Sequence, residues 1–384
     1  MRYSSIDLLR MLAIIVMVFV HFGENLSGVI LPFAGFGAPL FALLSGVSYA
    51  LWVRGQQRRG KCDEIISRVS IRRGLFVLGV GFAFNVVVWL PEDTFNWDVL
   101  TLIGVSILLL NLLRRLPRIV SLAMALMAVL ISPLLRVLAD YNSYWEEMYF
   151  QYDMTFSDIT IGFLVTGYFP VFPWIAYSLV GAVVGGCLFE TAPVDEQDDP
   201  AIGSLFGSPV ESNQPSSRLV WWQVTLVPGI ALLAVGLLIL GGRAFVPDGL
   251  ATTYFQGWSM YPPTICYVTG TLGMSLMMLG ALHYSIDRRL PDEGPPKGLL
   301  QTAQLFSQYS FTIYLLHHIV HIWPLWIYGA LYGTEATQYW RLALPISVSS
   351  SLALLFLVVC YFCVRILGVN RRYGIEAWMR WLCD

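Results

Sequence analysis

The sequence predicts an all-α polytopic membrane protein of about ten transmembrane helices with its N- and C-termini in the cytoplasm. Three observations predict it. Apolar residues make up 57% of the 384 and charged residues only 12%, with a mean hydropathy of +0.65. A soluble domain carries about 25% charge and cannot keep so much apolar surface from water. Apolar runs repeatedly approach the roughly 20 residues a helix needs to cross about 30 Å of hydrocarbon. Lys and Arg also alternate from loop to loop, rich in one and absent from the next. The net charge of −2 is neutral on partners. Nucleic acid is excluded as one, because no basic stripe with interleaved aromatics lies on a soluble face.

The expected spans run at about 5–23, 36–54, 74–91, 97–113, 118–138, 169–189, 219–241, 263–285, 303–323 and 340–367. The first carries Arg10 and is too long for a signal core, and no small-residue cleavage site follows it. Prolines at Pro133, Pro170, Pro173, Pro228 and Pro345 mark kinks or helix starts. The last run is long enough to tilt. Orientation follows from the loops. The segment 54–73 holds Arg54, Arg58, Arg59, Lys61, Arg68, Arg72 and Arg73, and the next loop on that side holds Arg114, Arg115 and Arg118. The opposite loops, GENLSGVILPFAG and PEDTFNWD, have no Lys or Arg. The basic side is expected inside.

The chain divides into a front six-helix core at 1–189, a linker at 190–218, a back four-helix bundle at 219–367 and an interfacial tail at 368–384. The linker is acidic, rich in Ser and Pro and without apolar period, so it reads as flexible. The outer loop at 139–168 is aromatic and acidic, with Trp145 among its rings. The basic, aromatic tail RRYGIEAWMRWL suits the inner leaflet and is assigned no chemistry. The six cysteines fall in spans or on the inner side, so no disulfide framework is expected.

Ionisable residues inside spans are costly and point to function. On the first helix Arg10 and His21 are eleven residues apart. At about 100° per residue that spacing returns to one face within about 20°, displaced roughly 16 Å along the axis. Asp7 shares the stripe, within i,i+3 reach of Arg10. An imidazole titrates near neutrality, so His21 suits proton acceptance from a hydroxyl or amine. Glu24, one turn on, either holds that ring or is a solvated loop acid. On the ninth span His317, His318 and His321 fall in the outer half, at a depth comparable with His21. His317 and His321 share a face, yet one pair without a third ligand is weak metal evidence. A polar wall is the better reading, and no metal is expected.

The opening IDLLRMLAIIVMVFVH resembles the Arg-x10-His start of the transmembrane acyltransferases, the superfamily of the acyltransferase-3 and bacterial heparan-α-glucosaminide N-acetyltransferase-like proteins. The similarity continues through PLFALLSGVSYAL, RVSIRRG, WDVLTLIGVSIL, YFPVFPWIAYSLVGAVVGG and SFTIYLLHH, in that order. WDVLTLIG and FPVFPW bring the heparan type nearest.

The resemblance implies an enzyme that moves an acyl group, acetyl by default, from cytoplasmic acyl-CoA to an extracytoplasmic hydroxyl or amine of a saccharide. It implies that His21 is catalytic and that Arg10 is required. The human lysosomal enzyme of this type uses a His in the loop after the first helix. Residues 22–35 have none, which leaves His21 as the candidate and argues against carrying over amino-sugar specificity. On the donor side Arg10, Arg72, Arg73 and Arg68 are positioned for CoA phosphates, against the plain alternative of topology-setting charge. Ser45–Gly46 admits either pantetheine or a neighbouring helix. On the acceptor side Trp97 and Asp98 either bind a sugar or simply start a helix, and Trp145 offers a ring face. The expected partners are the lipid bilayer, acyl-CoA and the acceptor, in a bacterial cytoplasmic membrane; a homo-oligomer is compatible. The competing reading is a proton-coupled transporter or exporter of a small polar solute using His21 and His317. The absence of an internal repeat weighs against it.

Overall fold

A computed structural model of the chain describes residues 2–88, 94–146, 149–150, 155–189, 220–289, 297–333, 344–368 and 372–384. The linker expected at 190–218 lies outside the described residues, as do parts of the outer loop at 139–168. The principal helices are α1 Ser4–Ser27, α2 Gly37–Gln57, α3 Asp63–Val88, α4 Val99–Leu113, α5 Arg118–Leu138 and α6 Val171–Leu188. They continue as α7 Leu226–Gly242, α8 Ile265–Leu282, α9 Gly298–Gln308, α10 Ser310–Tyr332, α11 Ile346–Leu367 and α12 Ile375–Cys383. A two-residue pairing of Trp145–Glu146 with Tyr149–Phe150 leaves the all-α class intact.

Seven helical stretches are long and apolar enough to cross a membrane: those of α1, α3, α5, α6 and α11, with Trp221–Phe245 around α7 and Ile265–Asp287 around α8. The protein is an integral membrane protein. Helix α2 is diluted by Ser, Gly and Gln, and α10 by three histidines, while α4 is apolar but 15 residues long.

Three expected boundaries change. The third span begins at Asp63, so the basic stretch to Arg73 is helical rather than loop. The ninth is two helices, broken at Tyr309, and α10 runs on to Tyr332. The last begins after Pro345, whose missing N–H suits a helix start.

Helix α1 is the hub, packed against α2, α8, α9, α10 and α11. Its first half sends Ile6, Leu9 and Ala13 into a core shared with α2, α6 and α8. Its second half sends Ile14, Met17, Val18, Phe22 and Leu26 into a core shared with α3, α10 and α11. Lipid offers no hydrophobic drive between helices, so close backbone approach matters. A Cβ on Gly46 would sit 2.0 Å from the Ser178 carbonyl oxygen, and one on Gly181 would sit 2.1 Å from that of Leu43. The two glycines therefore clamp α2 to α6.

The basic loops and both termini meet at one end. Arg114 and Arg115 pair with Asp63, Arg73 with Asp384 at 2.6 Å, and Arg54 donates to the Gly186 and Phe189 carbonyls at 2.8 Å each. At this end Asp287 accepts from the Ser5 backbone at 3.1 Å and from the His283 ring at 3.0 Å. His283 is thus buried in a knot joining α8 to the start of α1.

Candidate functional site

The site is built along α1. Near the basic end the Arg10 guanidinium donates to the Ser48 hydroxyl of α2 and, at 3.2 Å, to the Ser307 hydroxyl of α9. Asp7 does not serve Arg10 by hydrogen bond; its carboxylate takes Arg2 at 2.6 and 3.0 Å. Arg10 faces two adjoining cavities of about 360 and 380 Å³. They share Arg10, Ser48, Trp52, Ser307, Gln308, Glu376 and Arg380. The first opens toward Arg2 and Tyr373. The second runs past Ser45, Phe41 and Ile103 to Val99, Leu100 and Tyr314. Since Val99 begins α4 at the end away from the basic loops, this cavity crosses much of the protein's thickness.

The break between α9 and α10 makes that cavity. Irregular backbone at membrane depth is tolerated where it lines a cavity, and Ser307, Gln308, Ser310 and Phe311 around Tyr309 all line it. The break leaves the α10 N-terminus with unpaired N–H groups. Glu376 of the tail takes them, accepting from Phe311 N at 2.8 Å, Thr312 N at 3.0 Å and the Thr312 hydroxyl at 2.5 Å. The tail, expected to carry no chemistry, reaches the cavity: Glu376, Met379 and Arg380 form the floor of the larger one.

At its far end Tyr314 donates to the Asp98 carboxylate at 2.7 Å. One turn beyond, the α10 histidines meet His21 of α1. Ring centroids of His21 lie 5.4 Å from His317 and 4.6 Å from His318, and His317 and His318 are 4.0 Å apart. His21, His317 and His318 each offer a ring nitrogen, and these lie within 4.8 Å of one another. The third ligand-type group absent from the His317–His321 pair in sequence is thus supplied from α1, and the partner of His317 in the cluster is His318. His321 is engaged otherwise, with Nδ1 on the His317 carbonyl at 2.5 Å and Nε2 on the Asn25 amide at 2.8 Å.

Residues 2–206, more than half of the chain, match the heparan-alpha-glucosaminide N-acetyltransferase catalytic family. The chain belongs to this family. No curated protein gives a significant match. The matched region holds α1 to α6 and so includes Arg10, the walls of the cavity from α2 to α4, and His21. The α10 histidines and the tail lie beyond it. The chain thus carries the catalytic domain of an acetyltransferase family, completed in space by helices outside the matched stretch.

Of the expected donor residues, Arg10, Arg73 and Ser45 line the larger cavity. Arg73 also stacks over the Trp52 ring at 4.7 Å. Arg72 and Arg68 are exposed away from it, Arg68 pairing with Glu64 at 3.0 Å. Gly46 is a packing residue, as its clash distance shows. Of the expected acceptor residues, Asp98 stands at the cavity end through Tyr314, whereas Trp97 is buried among Phe82, Phe95 and Phe163 with centroids at 5.4, 6.5 and 4.5 Å. Trp97 has a φ of 55°, a backbone outlier beside Asp98. Trp145 stacks edge-on with Tyr168 at 4.9 Å and faces Tyr261 at 6.2 Å. Glu24 is exposed; its neighbour Asn25 is the α1 residue bonded into the imidazole group. Sequence reasoning missed Ser48, Ser307, Tyr314, Asn25 and Glu376. Only Tyr314, one turn before the His pair on an apolar helix, left a readable signal.

Proposed function

We propose that the protein is a membrane acyltransferase taking an acyl group, by default acetyl, from acyl-CoA entering at the basic end. It passes that group to a hydroxyl or amine of an acceptor arriving from the opposite side. The observation that carries this reading is the cavity that starts at Arg10 and ends at Tyr314, one turn below the imidazoles that surround His21. Arg10 at the start of the path and His21 beyond its far end both belong to α1. Positive-inside topology puts the basic end in the cytoplasm, where acyl-CoA is made. The outer rings Trp145, Tyr168 and Tyr261 give a saccharide-type acceptor aromatic faces to rest on, and a bacterial cytoplasmic membrane is the setting we favour.

Arg10 and Arg73 receive the phosphates, where charge-assisted hydrogen bonds are strong. Ser45 and Phe41 flank the thinner part of the donor. At the far end the acceptor oxygen or nitrogen attacks the thioester carbonyl carbon and gives its proton to the His21 imidazole. The new C–O or C–N bond forms, the C–S bond breaks, and the imidazolium returns its proton to the departing CoA thiolate. Glu24 is one turn from His21 and is our candidate to balance the imidazolium; Asp98 and His321 line the acceptor side. We favour direct transfer in a ternary complex, which predicts intersecting initial-rate patterns; an acyl-His intermediate predicts ping-pong kinetics.

The test uses the purified full chain in vesicles with acetyl-CoA and candidate saccharides. Thiol release and acceptor acylation should appear together, and His21→Ala should remove both while leaving the elution profile unchanged. Thioester cleavage that persists in that variant, or movement of a labelled solute with no thioester consumed, would discard the reading; the latter result would favour the transporter.

A further inference from the structure

We propose that His21, His317 and His318 form a three-imidazole site for a divalent transition-metal ion of the Zn²⁺ class. Four observations lead there. The first is proximity from two helices: one ring nitrogen from each residue falls within 4.8 Å of the others. Tetrahedral ligation at Zn–N distances of 2.0–2.1 Å needs nitrogens about 3.3 Å apart. The set must therefore contract by roughly 1.5 Å at most.

The second observation is the tautomer of His317. Its Nδ1 donates to the Tyr314 carbonyl at 2.5 Å, which leaves Nε2 with its lone pair. Metal-binding histidines are oriented in this way, with the far ring nitrogen on a carbonyl or carboxylate. The third is that this Nε2 is fully buried and has no hydrogen-bond partner, in a side chain with 0% exposure. An unmet acceptor at such a position is costly, and an ion removes that cost. The fourth is discrimination within the cluster. His321 shares the helix face of His317, yet both of its nitrogens are already engaged, by the His317 carbonyl and by Asn25. His321 is therefore held as a support of the cluster.

Three neutral imidazoles leave one position for a water or an acceptor oxygen, the ligand count of catalytic zinc sites. Ligation takes the His21 lone pair, so an ion-bound chain does not use that nitrogen as a proton acceptor. On the acyl-transfer reading given above, the ion accordingly switches transfer off. Metal binding itself is independent of that reading and is measured without acyl-CoA.

The full chain in detergent, stripped with a chelator and dialysed against ZnCl₂ or CoCl₂, should retain about one ion per chain by elemental analysis. Its Co²⁺ form should show the intense visible bands of a four-coordinate nitrogen site. His317→Gln and His318→Gln should each weaken retention at least about 10-fold, whereas His321→Gln should retain the ion. The wild-type Co²⁺ spectrum, and its loss on adding Zn²⁺, keep the test decisive if a variant fails to fold. No retained ion in the wild type, or equal retention in the His317→Gln/His318→Gln double variant, would overturn the site. If the ion binds as described but the stripped protein has no transferase activity, the metal site stands and the acyltransferase reading falls.

Discussion

At one end of α1, Arg10 is met by the hydroxyls of Ser48 and Ser307 and by cavities with Glu376 and Arg380 in their walls. Eleven residues along, His21 is met by imidazoles and Phe22 lies against His321 at 4.6 Å. The first environment is polar and open toward the basic loops; the second is aromatic, and three of its four histidines are buried. A guanidinium cannot shed its charge, so within a membrane it needs hydroxyls and a wet cavity. An imidazole can stay neutral and be charged only while it holds a proton. On the proposed transfer reaction, the contrast gives the permanent charge to holding a ligand and the switchable one to chemistry. It can be broken by variants that affect the wrong kinetic constant.

The largest effect is expected at His21. Removing a positioned general base costs about 10²–10⁴-fold in rate, so His21→Ala should lower kcat by that factor with little change in the KM for acyl-CoA. A change confined to KM would place His21 in binding and erase the contrast. Arg10 should behave in the opposite sense. Loss of a charged hydrogen-bonding group costs about 1.5–3 kcal/mol, so Arg10→Ala should raise the KM for acyl-CoA about 10–100-fold and leave kcat within a few-fold. Initial-rate kinetics on the purified protein separates the two.

Tyr314 stands where the regions meet. Tyr314→Phe keeps the ring packed against Phe84 at 5.7 Å but removes the hydrogen bond to Asp98. The expected cost is about 5–30-fold in kcat/KM, and combining it with Asp98→Asn should cost clearly less than the sum of the two if they act as one unit. Full additivity would show that Asp98 acts apart from Tyr314.

The α1 arrangement was legible because an eleven-residue spacing needs only helical geometry to be read. The α10 cluster was half legible. The i,i+4 rule pairs His317 with His321, but α1 approaches so that adjacent residues, His317 and His318, straddle it, and no single-helix rule contains the direction of a neighbour. The break at Tyr309 was hidden because FSQYSF has neither Gly nor Pro; it is held by Glu376, some 65 residues away. The tail read as interfacial from its basic and aromatic composition, and nothing local announced that Glu376 would turn inward. Ten apolar runs were visible throughout, yet the short loops could not say that α3 starts at Asp63, since a basic helical turn and a basic loop share a composition.

Arg72 and Arg73 give the smallest and sharpest comparison. The sequence treats them alike, as two cations at the same depth. On α3 they point about 100° apart: Arg72 is exposed, while Arg73 lines the larger cavity, covers Trp52 and holds Asp384 at 2.6 Å. If the cavity holds the phosphates, Arg73→Ala should raise the KM for acyl-CoA about 3–10-fold, less than Arg10→Ala because Asp384 already screens its charge. Arg72→Ala should change it by less than about twofold. Because both variants remove one positive charge from the same turn of α3, general attraction of the anionic donor would move them equally. Unequal effects mean that the phosphates sit on the Arg73 face, and equal effects would reduce the basic end to a topology signal.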